Sequence, residues 1–433
     1  MFPMNPAEAG ARTNREQWIA MTRREWAWLS AASLAFAVVF AYPMLCETVY
    51  LGPGTEGWIS RGPIFSHLAR FPANGDWDLF TELRWVPYYT VSHFHQFPYW
   101  NPYKCGGMGM LGNPESAIVT PFFIPYLLFG PYAGLYIEII LHMAIGFAGG
   151  YALGRVLGLG RLAATVCGAV FPSSSWVYLH LSVGHLNFLP AAYLPWIATF
   201  FFVSVERKRL LPAAICGLLC ALTLTEGNYT FLYAVILIAS LAVATSVTRL
   251  SPWPMIFAVA IGLFALGFGA LKLVPSSELL GIYPRPAFGP SSSTLQMIKV
   301  FLFSSNQDLY RESPGTFFFS EYGAYLSPAL VVLAVVGVAA SRLRAVAWIL
   351  PAVVFFLLAR GDSSPYSLLA YLRYFPLMGN IGQPGRFLIP FILCAGVFAA
   401  YGAERLCSLR SRWTRPLALI LLIIGLTDAW FAG

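Results

Sequence analysis

LALILLIIGL (417–426) carries no charged or hydrogen-bonding side chain, and SLAFAVVFAYPML (33–45) is thirteen residues without a charge. Runs of this kind recur from one end of the chain to the other. Such a run loses little by leaving water, but its backbone amides and carbonyls still need partners. In a bilayer a helix satisfies them within one segment, and about 20 residues span the hydrocarbon core. A membrane β-barrel would instead alternate apolar and polar residues over short segments. Composition agrees with the helical reading: 58% hydrophobic, 11% charged, mean hydropathy +0.65. A soluble domain carries about 25% charged residues. The fold class is therefore all-α, a polytopic transmembrane helix bundle.

Segment lengths predict eleven crossings, near 26–45, 132–153, 161–180, 187–204, 210–226, 228–247, 253–274, 322–340, 344–359, 386–405 and 415–431. The run VTPFFIPYLLFG (119–130) is short and broken by Pro121 and Pro125, so it reads as a re-entrant or membrane-surface segment. No tandem repeat and no low-complexity tail is visible.

Basic residues orient this bundle. Arg12, Arg15, Arg23 and Arg24 lie in the N-terminal arm. Alternate short connections hold Arg155 and Arg161, Arg207-Lys208-Arg209, Arg249, Arg342 and Arg344, and Arg405, Arg410, Arg412 and Arg415. These are 16 of the 27 Lys and Arg residues, opposed on that side by Glu8, Glu16, Glu25, Glu206 and Glu404. The positive-inside rule makes this side cytoplasmic, with the N-terminus inside and the C-terminus outside the inner membrane. The net charge of +8 then reflects topology and gives no reason to expect nucleic acid as a partner. The first apolar run is long and no A-x-A site follows it, so it reads as an uncleaved anchor. Trp18, Ile19, Trp26 and Trp28 among arginines suggest that residues 1–25 form an amphipathic arm on the inner leaflet. Cys167, Cys216, Cys220 and Cys394 fall in apolar helices as core residues. Cys46 and Cys105 both fall outside, where a disulfide is allowed but not determined by sequence.

Three outer loops are long: 46–118, 275–321 and 360–385. Long aromatic-rich loops on one face are where function concentrates. In the first, 59–71 and 80–97 read as short helices along the membrane, and FPYWNPYKCGGMGMLGNPES (97–116) as a series of fixed turns. GDWDLFTELRW (75–85) places Asp76 and Asp78 together in a chain with only 19 acidic residues. A carboxylate pair just outside a bilayer can act as a general base or hold a metal. Asp76 is the first choice for the base and Asp78 its orienting partner. A divalent cation, Mg or Mn, on the pair is one arrangement this allows. The competing reading is that both aspartates cap the helix starting near Asp78.

Cations at outer helix ends are candidates for holding a phosphate: Arg386 first, then Lys272, Arg285, Arg360 and Arg373. The planar fork of Arg binds two oxygens at once, although snorkelling also places Arg and Lys at helix ends. His93-Phe94-His95 and the pair His180/His185 could bind a metal, but without a nearby Cys or Asp partner in the pattern a phosphate or sugar hydrogen bond is favoured over a metal, and plain packing at the membrane interface over both; His185 lies at an outer helix start. Glu138 and His142 share a helix face; ionisable groups inside a membrane mark function, and a structural Glu–His pair is the equal alternative. Glu226, beside Asn228 in a tight outer turn, could reach the site or cap the next helix. Trp100 and Asn101, with Trp77 and Trp85, could contact a sugar, though the aromatic belt of a membrane protein also explains tryptophans here.

The order "GD", short helix, FPYWNPYKCGGMGMLGN (97–113) and a proline-rich lead-in (Pro114, Pro121, Pro125) resembles the first outer loop of the YfhO-like bacterial membrane proteins. Those belong to the GT-C group of lipid-linked-sugar glycosyltransferases. LVPSSELLGIYPRP (273–286) resembles the start of that family's second large loop. GNIGQPGRFLIP (379–390) resembles its R-x-P-x-R-F approach to a late helix; here Arg386-Phe387 match and the first Arg position holds Ile381 or Gly382. The resemblance implies a single GT-C-like domain over 1–433. It implies a polyprenyl-phosphate-sugar donor and an envelope glycan, lipid or protein as acceptor. Asp76 would act as base and Arg386 would hold the leaving phosphate. No Rossmann glycine-rich turn or soluble domain for a nucleotide sugar is visible, consistent with a lipid-linked donor. A transporter or flippase, which should show inverted repeats and charges near mid-membrane, and a non-catalytic partner subunit are the alternatives.

Overall fold

Along Trp253–Ile282, Phe257, Ile261, Ala265 and Gly269 are buried at intervals of four residues. Val259, Leu263, Leu266, Leu271 and Val274 of the same helix are exposed. One helix face thus packs on protein while the opposite face, equally apolar, is left exposed among the described residues. A helix in water would put polar groups on that face. Here the surrounding medium is lipid, and the chain is a predominantly helical, multi-pass membrane protein.

The computed structural model describes residues 21–46, 76–104, 106–283, 291–304, 319–340, 342–361, 367–374, 382–409 and 411–432. The amphipathic arm before residue 21, the helix expected at 59–71, Cys105 and Arg285 lie outside these residues, as do the side chains of Cys46, Trp77 and Asp78. The helices are α1 Arg23–Cys46, α2 Asp76–Phe94, α3 Phe123–Val156, α4 Arg161–Ser173, α5 Ser175–Ser182 and α6 Leu194–Arg207. They continue with α7 Leu210–Glu226, α8 Asn228–Arg249, α9 Trp253–Ile282, α10 Thr294–Leu302, α11 Phe319–Tyr322 and α12 Pro328–Ala340. The last four are α13 Arg342–Ala359, α14 Leu368–Leu372, α15 Leu388–Ser408 and α16 Thr414–Ala432. Short 3-10 segments, Leu186–Tyr193 and Pro384–Phe387, lead into α6 and α15. Among the described residues, eight helices are long and apolar enough to cross a membrane, and Leu210–Glu226, Pro328–Ala340 and Val346–Ala359 are shorter apolar helices. The described residues of 97–116 form no helix. Their one regular feature is an antiparallel pair, β1 Trp100–Asn101 on β2 Met108–Gly109.

Helix α15 is buried along most of its length and packs against α4, α12 and α13. The approach to α12 is unusually close. A Cβ on Gly402 would lie 1.9 Å from the Leu333 carbonyl oxygen, and one on Gly337 would lie 1.8 Å from that of Phe398. Lipid tails are as apolar as leucine, so tight backbone packing of small residues holds such helices together. Helix α3 is broken at Gly130. Tyr126 before the break bonds through its hydroxyl to Glu138 after it. In a continuous helix twelve residues would separate them by about 18 Å. The 123–129 piece is therefore folded back on the long arm of α3.

Helix α2 begins at Asp76, a turn before the segment expected at 80–97. Phe80, Leu83 and Arg84 are all buried, so the helix lays one face on the bundle, and it contacts α3. That face fixes where its first residue, Asp76, points.

Candidate functional site

Two breaks in the helical chain place the side chains. The α4–α5 helix is interrupted at buried Ser174, whose backbone is extended, and α5 ends at Ser182. Gly184 follows with φ +88°, a left-handed conformation that suits glycine because a Cβ would clash there. The turn returns the His185 amide to the His180 carbonyl at 2.9 Å and sets the two imidazoles side by side. Their Nδ1 atoms are 3.0 Å apart. Phe188, one turn further along the 3-10 segment, stacks on the His180 ring at 4.2 Å.

Asp76 reaches this turn from α2. Its Oδ2 lies 2.6 Å from His185 Nε2, and Phe80 meets the same imidazole edge-on. The carboxylate can only accept, so His185 donates from Nε2. The Nδ1 lone pair of a neutral His185 then faces His180, whose Nδ1–H can donate to it. His180 and His185 are both buried, whereas the Asp76 side chain is 40% exposed. Asp76 is the side of the cluster open to the surroundings.

Arg386 and Glu321 complete the cluster from the opposite half of the chain. Arg386 Nε donates to Glu321 Oε2 at 2.6 Å, and Nη2 donates to Oε1. The guanidinium is sandwiched by Phe188 and Tyr229, at 4.9 and 4.6 Å from their ring centroids. Burial raises the Glu321 carboxyl, but the Arg386 guanidinium outweighs burial and holds it down at about 2. Glu321 is therefore an ionised acceptor in a buried place. Ligand atoms of His180, His185 and Glu321 all lie within 4.8 Å of one another.

A second buried network starts eight residues along α2. Arg84 donates to Glu138 from Nε at 3.3 Å and Nη2 at 3.0 Å. The Glu138 carbonyl lies 2.8 Å from His142 Nδ1, and His142 Nε2 is 3.0 Å from Glu226 Oε2. Thr120 and Tyr193 also bond Glu226. With Nδ1 donating to a carbonyl, Nε2 can bond the Glu226 carboxylate only if the pair holds a proton between them. The two networks share segments: α2 supplies Asp76 and Arg84, and the α7–α8 turn supplies Glu226 and Tyr229.

The remaining sequence candidates lie elsewhere. Lys272 is buried and donates to the backbone carbonyls of Asn113 at 2.5 Å and Ser116 at 2.7 Å, which ties the 97–122 segment to α9. Glu226 belongs to the His142 network, so it neither joins Asp76 nor stands alone at a helix start. Asn101 bonds Glu82 and accepts from the Tyr103 amide at 2.9 Å, closing the turn before β2. Trp100 is exposed beside it. His93 stacks on Tyr89 at the far end of α2, about 25 Å along the helix from Asp76. The Asp78 side chain and Arg285 are outside the described residues.

Glu321 and Arg84 were not singled out from sequence. A signal existed for both. Glu321 is an isolated charge in FFFSEYGAY (317–325), and Arg84 is the one basic residue of GDWDLFTELRW (75–85). Charges so placed in membrane proteins mark paired or functional sites. No protein-family model matches the chain, and no curated protein matches it.

Proposed function

We propose that this chain is a GT-C-type membrane glycosyltransferase. It moves a sugar from a polyprenyl-phosphate-linked donor to an envelope glycan, lipid or protein at the outer face of the inner membrane. In this reading the eight long apolar helices and the three shorter ones make eleven crossings, with the N-terminus inside and the C-terminus outside.

One observation carries the reading. A carboxylate from the first long loop and a guanidinium from a late helix converge on one cluster, Asp76 through His185 and Arg386 through Glu321. Sugar transfer from a lipid phosphate needs a base for the acceptor hydroxyl and positive charge for the leaving phosphate, a few ångströms apart. Asp76 is the exposed member and meets the acceptor. Its Oδ2 is held by His185, which orients the carboxylate for proton abstraction. Phosphate is also a two-oxygen acceptor, so it can take the place of Glu321 on Arg386. The aromatic faces of Phe188 and Tyr229 keep the guanidinium in position during that exchange.

The Arg84–Glu138 and His142–Glu226 pairs favour a second reading, a lipid or polysaccharide transporter. Buried ionisable groups among membrane helices commonly mark proton or ion paths. One reconstitution separates the two. The purified chain is placed in vesicles with a panel of polyprenyl-phosphate sugars and an envelope acceptor fraction. Transferase activity releases polyprenyl phosphate and leaves labelled sugar on the acceptor. Movement of the lipid across the bilayer with no polyprenyl phosphate released supports the transporter and rejects the transferase.

A further inference from the structure

We propose that His180, His185 and Glu321 form a binding site for a zinc-type metal ion, with Asp76 and Arg386 as its supporting shell. The reading begins with the two facing Nδ1 atoms, 3.0 Å apart. Two imidazole nitrogens that face each other hold either one proton or one metal ion between them. Tetrahedral zinc with bonds of about 2.0–2.2 Å sets its ligand atoms about 3.3–3.6 Å apart. The Nδ1 pair is within a few tenths of an ångström of that spacing. The Glu321 carboxylate, within 4.8 Å of both, needs a side-chain movement of about an ångström to complete three ligands. Two imidazoles and one carboxylate, with a fourth position open, suit zinc and not magnesium or manganese, which prefer oxygen donors.

The surroundings are those of a metal centre. A metal-bound histidine commonly gives its other N–H to a carboxylate, which fixes the tautomer and ring orientation. His185 does so to Asp76 at 2.6 Å. Glu321 is held in turn by Arg386. The ligands come from the α5 end, the turn after it and α11, and all three are buried.

A divalent ion would add positive charge beside Arg386 and leave an open coordination position for an anionic phosphate oxygen. That last assignment rests on the glycosyltransferase reading; the metal site does not.

The full-length chain is purified without a polyhistidine tag, stripped with a chelator, and loaded with zinc or cobalt in nanodiscs. Metal content is measured after free ions are removed, and cobalt is followed by its visible d–d absorption. The expected result is one ion per wild-type chain and a tetrahedral cobalt spectrum. His180→Ala and His185→Ala should each abolish stoichiometric uptake, because each removes one of the three ligands. Asp76→Asn should weaken binding about 10–100-fold while the cobalt spectrum persists at saturating metal. Folding is checked by elution profile and thermal melt, and His180→Gln replaces any alanine variant that fails to fold. A folded wild-type chain that takes up no more zinc than the folded histidine variants overturns the site and leaves the pair sharing a proton. Because the readout is metal content, that failure is distinct from an absence of sugar transfer.

Discussion

Asp76 Oδ2 and His185 Nε2 meet at 2.6 Å across 109 residues of chain. One belongs to the first long loop, the other to the turn between two helices. Neither side chain reaches the position alone: α2 must dock through Phe80 and Arg84, and Gly184 must turn the chain at the end of α5. If Asp76 takes the acceptor proton, Asp76→Asn should lower turnover about 10²–10⁴-fold. The asparagine keeps the size of the side chain and can still cap a helix, so the melting temperature should stay near wild type. Wild-type transfer by this variant would remove the base from the mechanism.

Arg386 and Glu321 are a buried ion pair between rings. Arg386→Ala leaves the glutamate charge buried and unmatched, a change that costs about 3–5 kcal/mol. Arg386→Lys keeps the charge but loses the planar fork and its stacking on Phe188 and Tyr229, so it should recover only part of that stability. Thermal melts of the wild type and the two variants in one detergent give the order. Equal stability of the Arg386→Lys variant and the wild type would mean that the two-bond geometry contributes little.

For Arg84 and Glu138, single variants Arg84→Met and Glu138→Gln should each destabilise by about 3–5 kcal/mol, since each strands a buried partner. The double variant should lose less than the sum by about 0.5–3 kcal/mol. Additive losses in this double-mutant cycle would show that the pair is not coupled as its geometry indicates.

The contact of α12 with α15 leaves no room for a side chain at Gly402 or Gly337. Gly402→Ala should separate the helices locally and cost about 1–3 kcal/mol. Gly425, where the nearest atoms to a Cβ would be side-chain carbons of Leu330 and not backbone, serves as the control and should tolerate alanine better. A reversed order in thermal melts would place the critical approach elsewhere.

Sidedness is open to a direct test. Reporter fusions at Gly433 and within 90–110 should both report the outer compartment, as the positive-inside distribution requires. A cytoplasmic signal from the 90–110 fusion would put Asp76 on the wrong side for a lipid-linked donor at the outer face.

The sequence by itself determined the class of fold. Runs such as 33–45 and 417–426 hold too few polar groups for water, and without the alternation of a barrel strand only a helix satisfies their backbones in lipid. It also made the chemistry-bearing residues conspicuous, because charges are scarce: Asp76, His185 and Arg386 were legible as polar groups at helix ends. Their pairing was not. Hydropathy is nearly the same on the lipid face and the protein face of these helices, so periodicity cannot say which faces meet. Tertiary packing alone decided that Lys272 bonds the carbonyls of Asn113 and Ser116, that Glu226 joins His142, and that Glu321 lies beside His180 and His185. Those partners come from segments tens to more than a hundred residues apart, brought together by backbone contacts as close as Gly402 on Leu333, and no local pattern in the chain encodes such distances.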